Sequence, residues 1–229
     1  MKTSTKYSAE MKTTNPYKLL IMGLFLLAAT CEPKVKFENP QPNGRKDLKA
    51  IPANYRGTYF EISDSVSLTI NETLIIEEEL RIALLTKQQL WEEIDTVFEV
   101  DTIVNVTKNT TVEFDFYDDS VKLTTQSIDT LFDLNLHSHL REYKGFLFLN
   151  NPLENNLWKV KIVKIKGDSL MMKSLVTESE IDTLRPLTQI TTITDSIENK
   201  TEEYRMDPTK SEMKKILARK KLEYDYVRK

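Results

Sequence analysis

The chain has 229 residues with 32 basic and 35 acidic side chains, a formal net charge of −3, and 40% of its residues are hydrophobic. This length suits one domain or a domain with an appendage, and the slight acidity argues against a nucleic-acid partner, which would favour a basic face. Because there is only one cysteine, no disulfide can form within the chain, and a hydrophobic core must stabilise the fold.

The chain opens with a segment that has the layout of a secretory signal. Lysines precede an apolar run from Leu19 to Ala29, and small residues close it. A transmembrane helix needs about 20 apolar residues, so this run is too short to span a bilayer. We therefore expect residues 1–30 to be a signal peptide that is removed. Met11 is an alternative start to Met1, because Met-Lys-Thr recurs there.

The only cysteine, Cys31, directly follows the small residues. The stretch Leu27-Ala28-Ala29-Thr30-Cys31 resembles the lipobox of bacterial lipoproteins, in which the cysteine becomes the acylated first residue. Ala28 and Thr30 depart from the consensus, as in the looser boxes of Bacteroidota-like lipoproteins. The resemblance implies lipid attachment at Cys31 and a place in the cell envelope. The anchor would lie in a membrane, with the outer membrane expected, and the domain in the periplasm or at the surface. The alternative is an ordinary cleaved signal with a cysteine nearby by chance.

Residues 31–54 are predicted to form the lipidated N-terminus and a flexible tether. This segment holds four of the eight prolines, little apolar material and the turn pair Asn43-Gly44. Without residues 1–30 the chain carries 28 basic and 34 acidic side chains. Because the chain is still acidic, we expect no nucleic-acid partner.

Residues 55–206 alternate apolar and polar positions, as strands with one buried face do. Examples are Val66-x-Leu68-x-Ile70 and Trp158-x-Val160-x-Ile162. We predict an all-β fold, an antiparallel meander of about eight to ten strands as a barrel or a sandwich, followed by a C-terminal α-helix. Residues 76–94 suit a helical stripe and an alternating strand equally well.

Eight short triplets punctuate this β domain, each an aspartate, then Ser or Thr, then an apolar residue. The physical interpretation is that aspartate caps a turn and the apolar residue begins a strand. The triplets also resemble the acceptor pattern of O-glycosylation in exported Bacteroidota proteins. That resemblance implies glycan acceptors at Ser65, Thr96, Thr102, Ser120, Thr130, Ser169, Thr183 and Ser196.

Residues 207–229 are predicted to form a capped basic helix and a tail. Thr209 and Glu212 have the spacing of a capping box. Residues 210–229 hold eight basic and three acidic side chains. Such a helix either packs on the sheet with its charges in solvent, or contacts anionic lipid headgroups or an acidic partner.

The chain contains few residues that could carry catalysis. His137 and His139 are predicted to share one face of a strand with Asp133 and Asn135, which could hold a divalent metal if a third ligand came from elsewhere. There is no glycine-rich phosphate loop and no Gly-x-Ser-x-Gly motif. We therefore expect no metal, no other cofactor and no enzymatic activity, and a metal-dependent or hydrolytic enzyme remains a distant third class.

Two functional classes rank above that one. The first is an envelope lipoprotein, anchored to membrane lipid through Cys31, that acts as a structural or accessory module docking on other envelope proteins. The alternative is a lipocalin-like binder of an apolar small molecule. Its cavity would be lined by Trp91, Trp158, Phe114, Phe116, Phe146 and Phe148.

Overall fold

The computed structural model describes residues 33–62, 65–93, 102–107, 109–194 and 201–228, with the side chains of residues 91–93, 102–107 and 201–202 left out. Within these ranges the strands are β1 (Val35–Phe37), β2 (Gly57–Glu61), β3 (Val66–Ile70), β4 (Leu74–Thr86), β5 (Thr102–Thr107), β6 (Thr110–Phe116), β7 (Ser120–Asp133), β8 (His139–Tyr143), β9 (Phe146–Pro152), β10 (Trp158–Lys166), β11 (Ser169–Ser174), β12 (Ile190–Thr194), β13 (Thr201–Met206) and β14 (Tyr226–Arg228). The α-helices are α1 (Lys87–Glu93), α2 (Ile181–Leu184) and α3 (Lys210–Ala218), and short 3-10 turns span Ala53–Tyr55, Glu154–Asn156 and Glu178–Glu180.

All of these strands belong to one sheet with a fork at β10. The main path runs β12-β13-β1-β10-β11-β14-β2-β3-β4-β7-β6-β5, and β9 and then β8 extend from the other edge of β10. The first edge of β10 is shared, because β11 pairs along Lys161 to Lys166 and β1 pairs only at Trp158. Only β1 with β13 pairs parallel among the described strands.

The all-β prediction is confirmed, and so is the C-terminal helix. The strand number and the pattern differ from the expected meander of eight to ten strands, because the chain forms fourteen described strands in a mixed sheet. Short strands account for part of the difference. β1 and β14 have three residues each, too few to show a period of two in the sequence.

The sheet curls around a core that we call the inner cluster. Its buried side chains come from nine strands, β2 to β4, β7 to β11 and β14, and from residues 51 and 55. Some of these strands lie far apart in the sheet order. Their side chains can be in contact only if the sheet bends over itself. Leu68, Leu149 and Val163, all 0% exposed, fill this interior.

A second core, the outer cluster, lies on the opposite face of β9 and β10. The side chains of Phe37, Phe148 and Ile162 meet Met213 and Ile216 of α3 there. Residues 146–150 are consequently buried on both faces, because β9 separates the two clusters. This explains the unbroken apolar run Phe-Leu-Phe-Leu at the start of β9, where a one-sided strand would alternate.

The ambiguous segment 76–94 contains both a strand and a helix. β4 continues to Thr86, and α1 begins at the next residue. The change is fixed locally, because the side chain of Gln89 accepts a hydrogen bond from the backbone N–H of Thr86 (2.9 Å) and its own N–H donates to Thr86 Oγ1 (3.2 Å). Such reciprocal bonds satisfy backbone donors at a helix start.

The described part of the expected tether is integrated into the domain. Val35 to Phe37 form a buried strand, and Ile51 is 0% exposed in the inner cluster. Between them, the buried Asn150 side chain accepts from the N–H of Gln41 and donates to its carbonyl. The prolines therefore belong to an ordered loop here. They prevent regular secondary structure, and side chains such as Asn150 satisfy the backbone hydrogen-bonding groups instead.

Two turns and the tail complete the fold. β9 ends at Pro152, and the chain reverses at Glu154–Asn156. Another turn lies at Gly167, whose φ of 61° favours glycine. After α3 the tail returns as β14 between β11 and β2.

Candidate functional site

The most conspicuous surface lies on the outer face of β4 and β7. Leu80, Ile82 and Leu84 alternate along β4 with 47%, 62% and 69% of each residue exposed, and Ile128 of β7 is 45% exposed beside them. The register places Leu80 opposite Gln126 of β7. Ile128, two residues further, is therefore a diagonal neighbour on the same face. We call these four residues the apolar stripe.

Charged side chains border the apolar stripe on the same face. Glu113 is exposed, and Asp115 forms an ion pair of 3.1 Å with Lys122, which lies opposite Leu84. Glu78 accepts a hydrogen bond from Gln126. Three carboxylates and one ammonium thus surround the stripe, so the border is negative.

Toward the end of β4 the opposite face of the sheet is covered by the protein itself, whereas Arg81 is exposed on that face. Leu90 of α1 packs there on Val112, Phe114 and Val121, and all four side chains are buried. β4, β7, β6 and β5 pair in this order and continue past the end of β3. We call this extension the arm, and the small core supports it. Consequently the stripe is held on a firm surface, while its own side remains open to solvent.

Between the arm and the inner cluster lies a group of three charges, in which Glu77 and Lys161 are half-buried and Asp129 is exposed. Glu77 of β4 stands directly opposite Asp129 of β7, and Lys161 of β10 interacts electrostatically with both. Burial raises the pKa of Glu77, while Lys161 opposes this shift and Asp129 adds to it. Burial likewise lowers the pKa of Lys161, with a further contribution from Lys159. Glu77 and Lys161 therefore each lose more from desolvation than the opposite charges return.

The histidines do not share a strand face, contrary to the prediction. β7 ends at Asp133, residues 134–137 turn with His137 at a φ of 59°, and β8 begins at His139. A turn breaks the alternation on which the expected metal face depended. No group of three His, Cys, Asp or Glu side chains that could hold a metal occurs among the described residues.

His139 belongs instead to a clasp that fixes the loop of residues 40–47. Its Nδ1 lies 2.7 Å from one oxygen of Asp47, and Arg141 Nε donates to the other oxygen at 2.7 Å. Arg141 also donates to the carbonyls of Pro40 and Pro42. Burial alone would raise the pKa of Asp47, but the bonds from Arg141 and His139 outweigh it and hold the pKa below its usual range. The imidazole of His139 therefore has a structural role, because it helps to hold Asp47 and the loop in place.

The aspartate triplets mostly begin strands, as their physical interpretation predicts. β3, β5, β7 and β11 start at or just after the Ser or Thr of a triplet, whereas Thr130 lies inside β7 and Thr183 inside α2. Ser65, Thr130 and Thr183 are exposed, and Ser120 and Ser169 are half-buried. Thr96, Ser196 and the side chain of Thr102 lie outside the described residues.

The aromatic side chains named for a ligand cavity do not converge. Phe146 and Phe148 belong to the outer cluster, with Trp158 packed against it. Phe114 belongs to the small core under α1, where Phe116 also packs. The side chain of Trp91 lies outside the described residues, as does Cys31.

The sequence alone does not show that the apolar stripe is exposed. The alternation Leu80-x-Ile82-x-Leu84 has a period of two, which indicates only that one face is apolar. It carries no information about whether another layer covers that face.

Comparison with known proteins supplies no function. No protein-family model, no curated protein and no solved structure matches the chain. None of the helices in the described ranges is long and apolar enough to cross a membrane.

Proposed function

We propose that this protein is a membrane-anchored envelope lipoprotein that docks on another envelope protein through the apolar stripe. The observation that carries the proposal is the exposure of Leu80, Ile82 and Leu84 in a row on a braced arm. Large apolar side chains grouped on the surface, with polar residues around them, are typical of protein interaction sites. The lipobox resemblance at Cys31 supplies the anchor in this proposal.

The border of the stripe defines the chemistry of the partner. An apolar centre gives most of the binding energy in protein interfaces, and a polar rim gives orientation and speed of association. Since Glu78, Glu113 and Asp115 outnumber Lys122 around the stripe, the complementary surface is an apolar strip flanked by lysine or arginine side chains. Binding should weaken as salt is added, because the rim charges are exposed and screened.

The alternative, a binder of an apolar small molecule, would use the space inside the curled sheet. That space is occupied by the inner cluster, in which Ile51, Leu68 and Leu140 are each 0% exposed. A small-molecule site needs a concave cavity of several hundred Å³ that encloses its ligand. The open, firm stripe therefore supports docking better than the packed interior supports ligand binding.

The test is site-specific photo-crosslinking in intact envelopes of the native host. A photoreactive phenylalanine analogue replaces Ile82 in one variant and Arg81 in the control, because Arg81 is equally exposed on the same strand but points to the other face. We expect a discrete protein adduct from position 82, weakened by a second change of Glu113→Lys, and none from position 81. The partner peptide in the adduct should contain apolar residues next to lysine or arginine.

Two results would contradict docking through the stripe. One is an adduct pattern that is the same from positions 81 and 82. The other is an adduct from position 82 that contains lipid and no protein.

A further inference from the structure

The fold begins almost directly after the expected anchor. Pro33 is the first described residue, two positions after Cys31. The carbonyl of Lys34 accepts a 2.7 Å hydrogen bond from Tyr204 N–H. The ammonium of Lys34 lies 3.0 Å from Glu178 Oε1. Val35 is 7% exposed in the outer cluster. The chain is therefore tied to the domain from Lys34 onward.

Chain length limits how far the domain can stand from the anchor. An extended chain spans at most about 3.6 Å per residue, so the four steps from Cys31 to Val35 cover about 14 Å. A flexible tether over residues 31–54 would have allowed a much larger and less defined separation. With the observed fold, the surface around Pro33 has to stay next to whatever holds Cys31.

The same surface includes the C-terminal end of the basic helix α3. Lys220 forms an ion pair with Glu180 at 2.6 Å, and Arg219 donates to the carbonyl of Thr183 at 2.8 Å. The ammonium of Lys173 donates to the carbonyl of Lys221. Since Glu178 and Glu180 belong to one short turn, these contacts bring the end of α3 beside Lys34.

Basic side chains outnumber acidic ones on this surface. Residue 34 together with residues 173–185 and 219–223 carries six basic and four acidic side chains. Each of the four acids is ion-paired with one of these bases, so the positive excess is Lys173 and Arg219. Lys221 has 83% of its side chain exposed, and Arg219 is also exposed. The rest of the domain is acidic, so a local positive excess is a departure from the average. Basic groups close to a membrane are attracted by anionic headgroups.

We propose that the surface formed by Pro33, Lys34, residues 177–180 and the C-terminal end of α3 rests on the anionic headgroups of the membrane that holds Cys31. We call it the anchor face. This proposal rests on the lipid anchor of the proposed function and adds a defined orientation to it. The short connection keeps the anchor face at the membrane, and the positive charges favour headgroup contact over tumbling about the anchor.

The experiment uses the full-length acylated protein purified from its own envelope and reconstituted in vesicles that contain anionic lipid and a nickel-chelating headgroup lipid. Because acylated Cys31 has no free thiol, a single introduced cysteine can carry a nitroxide spin label. Ser179→Cys places the label on the anchor face, and Asp118→Cys places it in the exposed turn between β6 and β7 at the tip of the arm. Relaxation of the nitroxide by nickel reports its distance from the headgroups.

We expect the label at position 179 to relax several-fold faster than the label at position 118. A flexible insert of about ten residues between Glu32 and Pro33 would add a reach of about 17 Å and should reduce the relaxation at position 179. Equal relaxation at both positions in acylated protein would overturn the orientation, as would no effect of the insert. A protein whose intact mass lacks acyl chains would refute the anchor itself, so the two failures are distinguishable.

Discussion

The pair Lys220 and Glu180 shows how a single contact fastens α3 to the rest of the fold. Only 3% of the Lys220 side chain is exposed, and its ammonium lies 2.6 Å from both oxygens of Glu180. Burial alone would raise the pKa of Glu180, yet hydrogen bonds from Lys220 and Thr177 hold it below the usual range. Burial lowers the pKa of Lys220 in spite of Glu180. The pair thus stabilises the charged form of Glu180 more than the charged form of Lys220. In acid, where Lys220 stays protonated, the lowered pKa of Glu180 therefore decides how stability depends on pH.

Replacing Lys220 by methionine tests this contact. The side chain keeps its volume, but Glu180 loses its charged partner while 35% of its own side chain remains exposed to water. We expect a loss of about 1 to 2 kcal/mol in the free energy of unfolding, less than the full cost of breaking a buried pair. The control is Lys221→Met, whose ammonium pairs with Glu223 at the surface and which should leave the free energy of unfolding unchanged, because exposed ion pairs are screened by solvent. Denaturant unfolding of both variants gives the answer, and equal losses would contradict it.

The pH dependence of the same pair has a defined sign. A carboxyl whose folded-state pKa is lowered stabilises the fold above its unfolded pKa of about 4.3 and loses that contribution as pH falls through the folded pKa. The stability difference between the native protein and Lys220→Met should therefore be constant from pH 7 to about pH 5 and shrink below about pH 4. Unfolding curves at several pH values measure it. A difference that grows in acid would show that the assigned direction is wrong.

At the scale of elements, the sequence predicted what depends on local chemistry. The capping box at Thr209 and Glu212 places the start of α3 correctly, and alternation finds β3 and β10. The elements that it missed depend on distant partners. β1 exists because Tyr204 and Trp158 lie beside it, and a segment of only three residues is too short to show a period that would reveal it.

Because β1 is part of the fold, a core substitution in it should lower the free energy of unfolding strongly. The same substitution in a flexible tether would have no effect. Phe37 is 1% exposed in the outer cluster. Phe37→Ala should cost about 3 to 5 kcal/mol, from the lost apolar burial and the cavity left behind. Lys46→Ala, an exposed position in the same segment, serves as the control and should leave stability within about 0.5 kcal/mol. Thermal or denaturant unfolding decides between the two accounts, and a loss for Phe37→Ala as small as that of the control would mean that residues 33–54 do not stabilise the domain.

The start of α3 should be equally sensitive to its cap. Thr209 Oγ1 accepts from the N–H of Glu212, and the Glu212 side chain accepts from the N–H of Thr209 at 2.8 Å. Thr209→Ala removes the first of these bonds and should lower the free energy of unfolding by about 1 kcal/mol. Ser211, exposed in the first turn, offers the control, since Ser211→Ala should cause no loss. Similar losses in the two variants would contradict the role of the cap.

At the scale of the whole molecule, the proposed function combines three features that no single element contains. The proposed anchor rests on the lipobox resemblance, the proposed anchor face rests on the early entry of β1 into the fold, and the apolar stripe lies on an arm that is supported from one side. The sequence pointed to the first of these. The other two depend on which faces the curled sheet covers, and this is decided by contacts between strands that are far apart in the chain, such as β1 with β13 and β4 with β7.

The intact mass of the protein purified from its native cell envelope would reveal the lipid anchor without any further assay. If Cys31 is acylated, the chain begins at Cys31 and carries the added mass of two or three acyl chains, the number needed for stable anchoring. Additional increments of sugar mass would place glycan on the aspartate triplets, with exposed Ser65, Thr130 and Thr183 the most accessible of the described acceptors. A chain that begins elsewhere, or that keeps an unmodified Cys31, would contradict the anchored module and with it the orientation at the membrane.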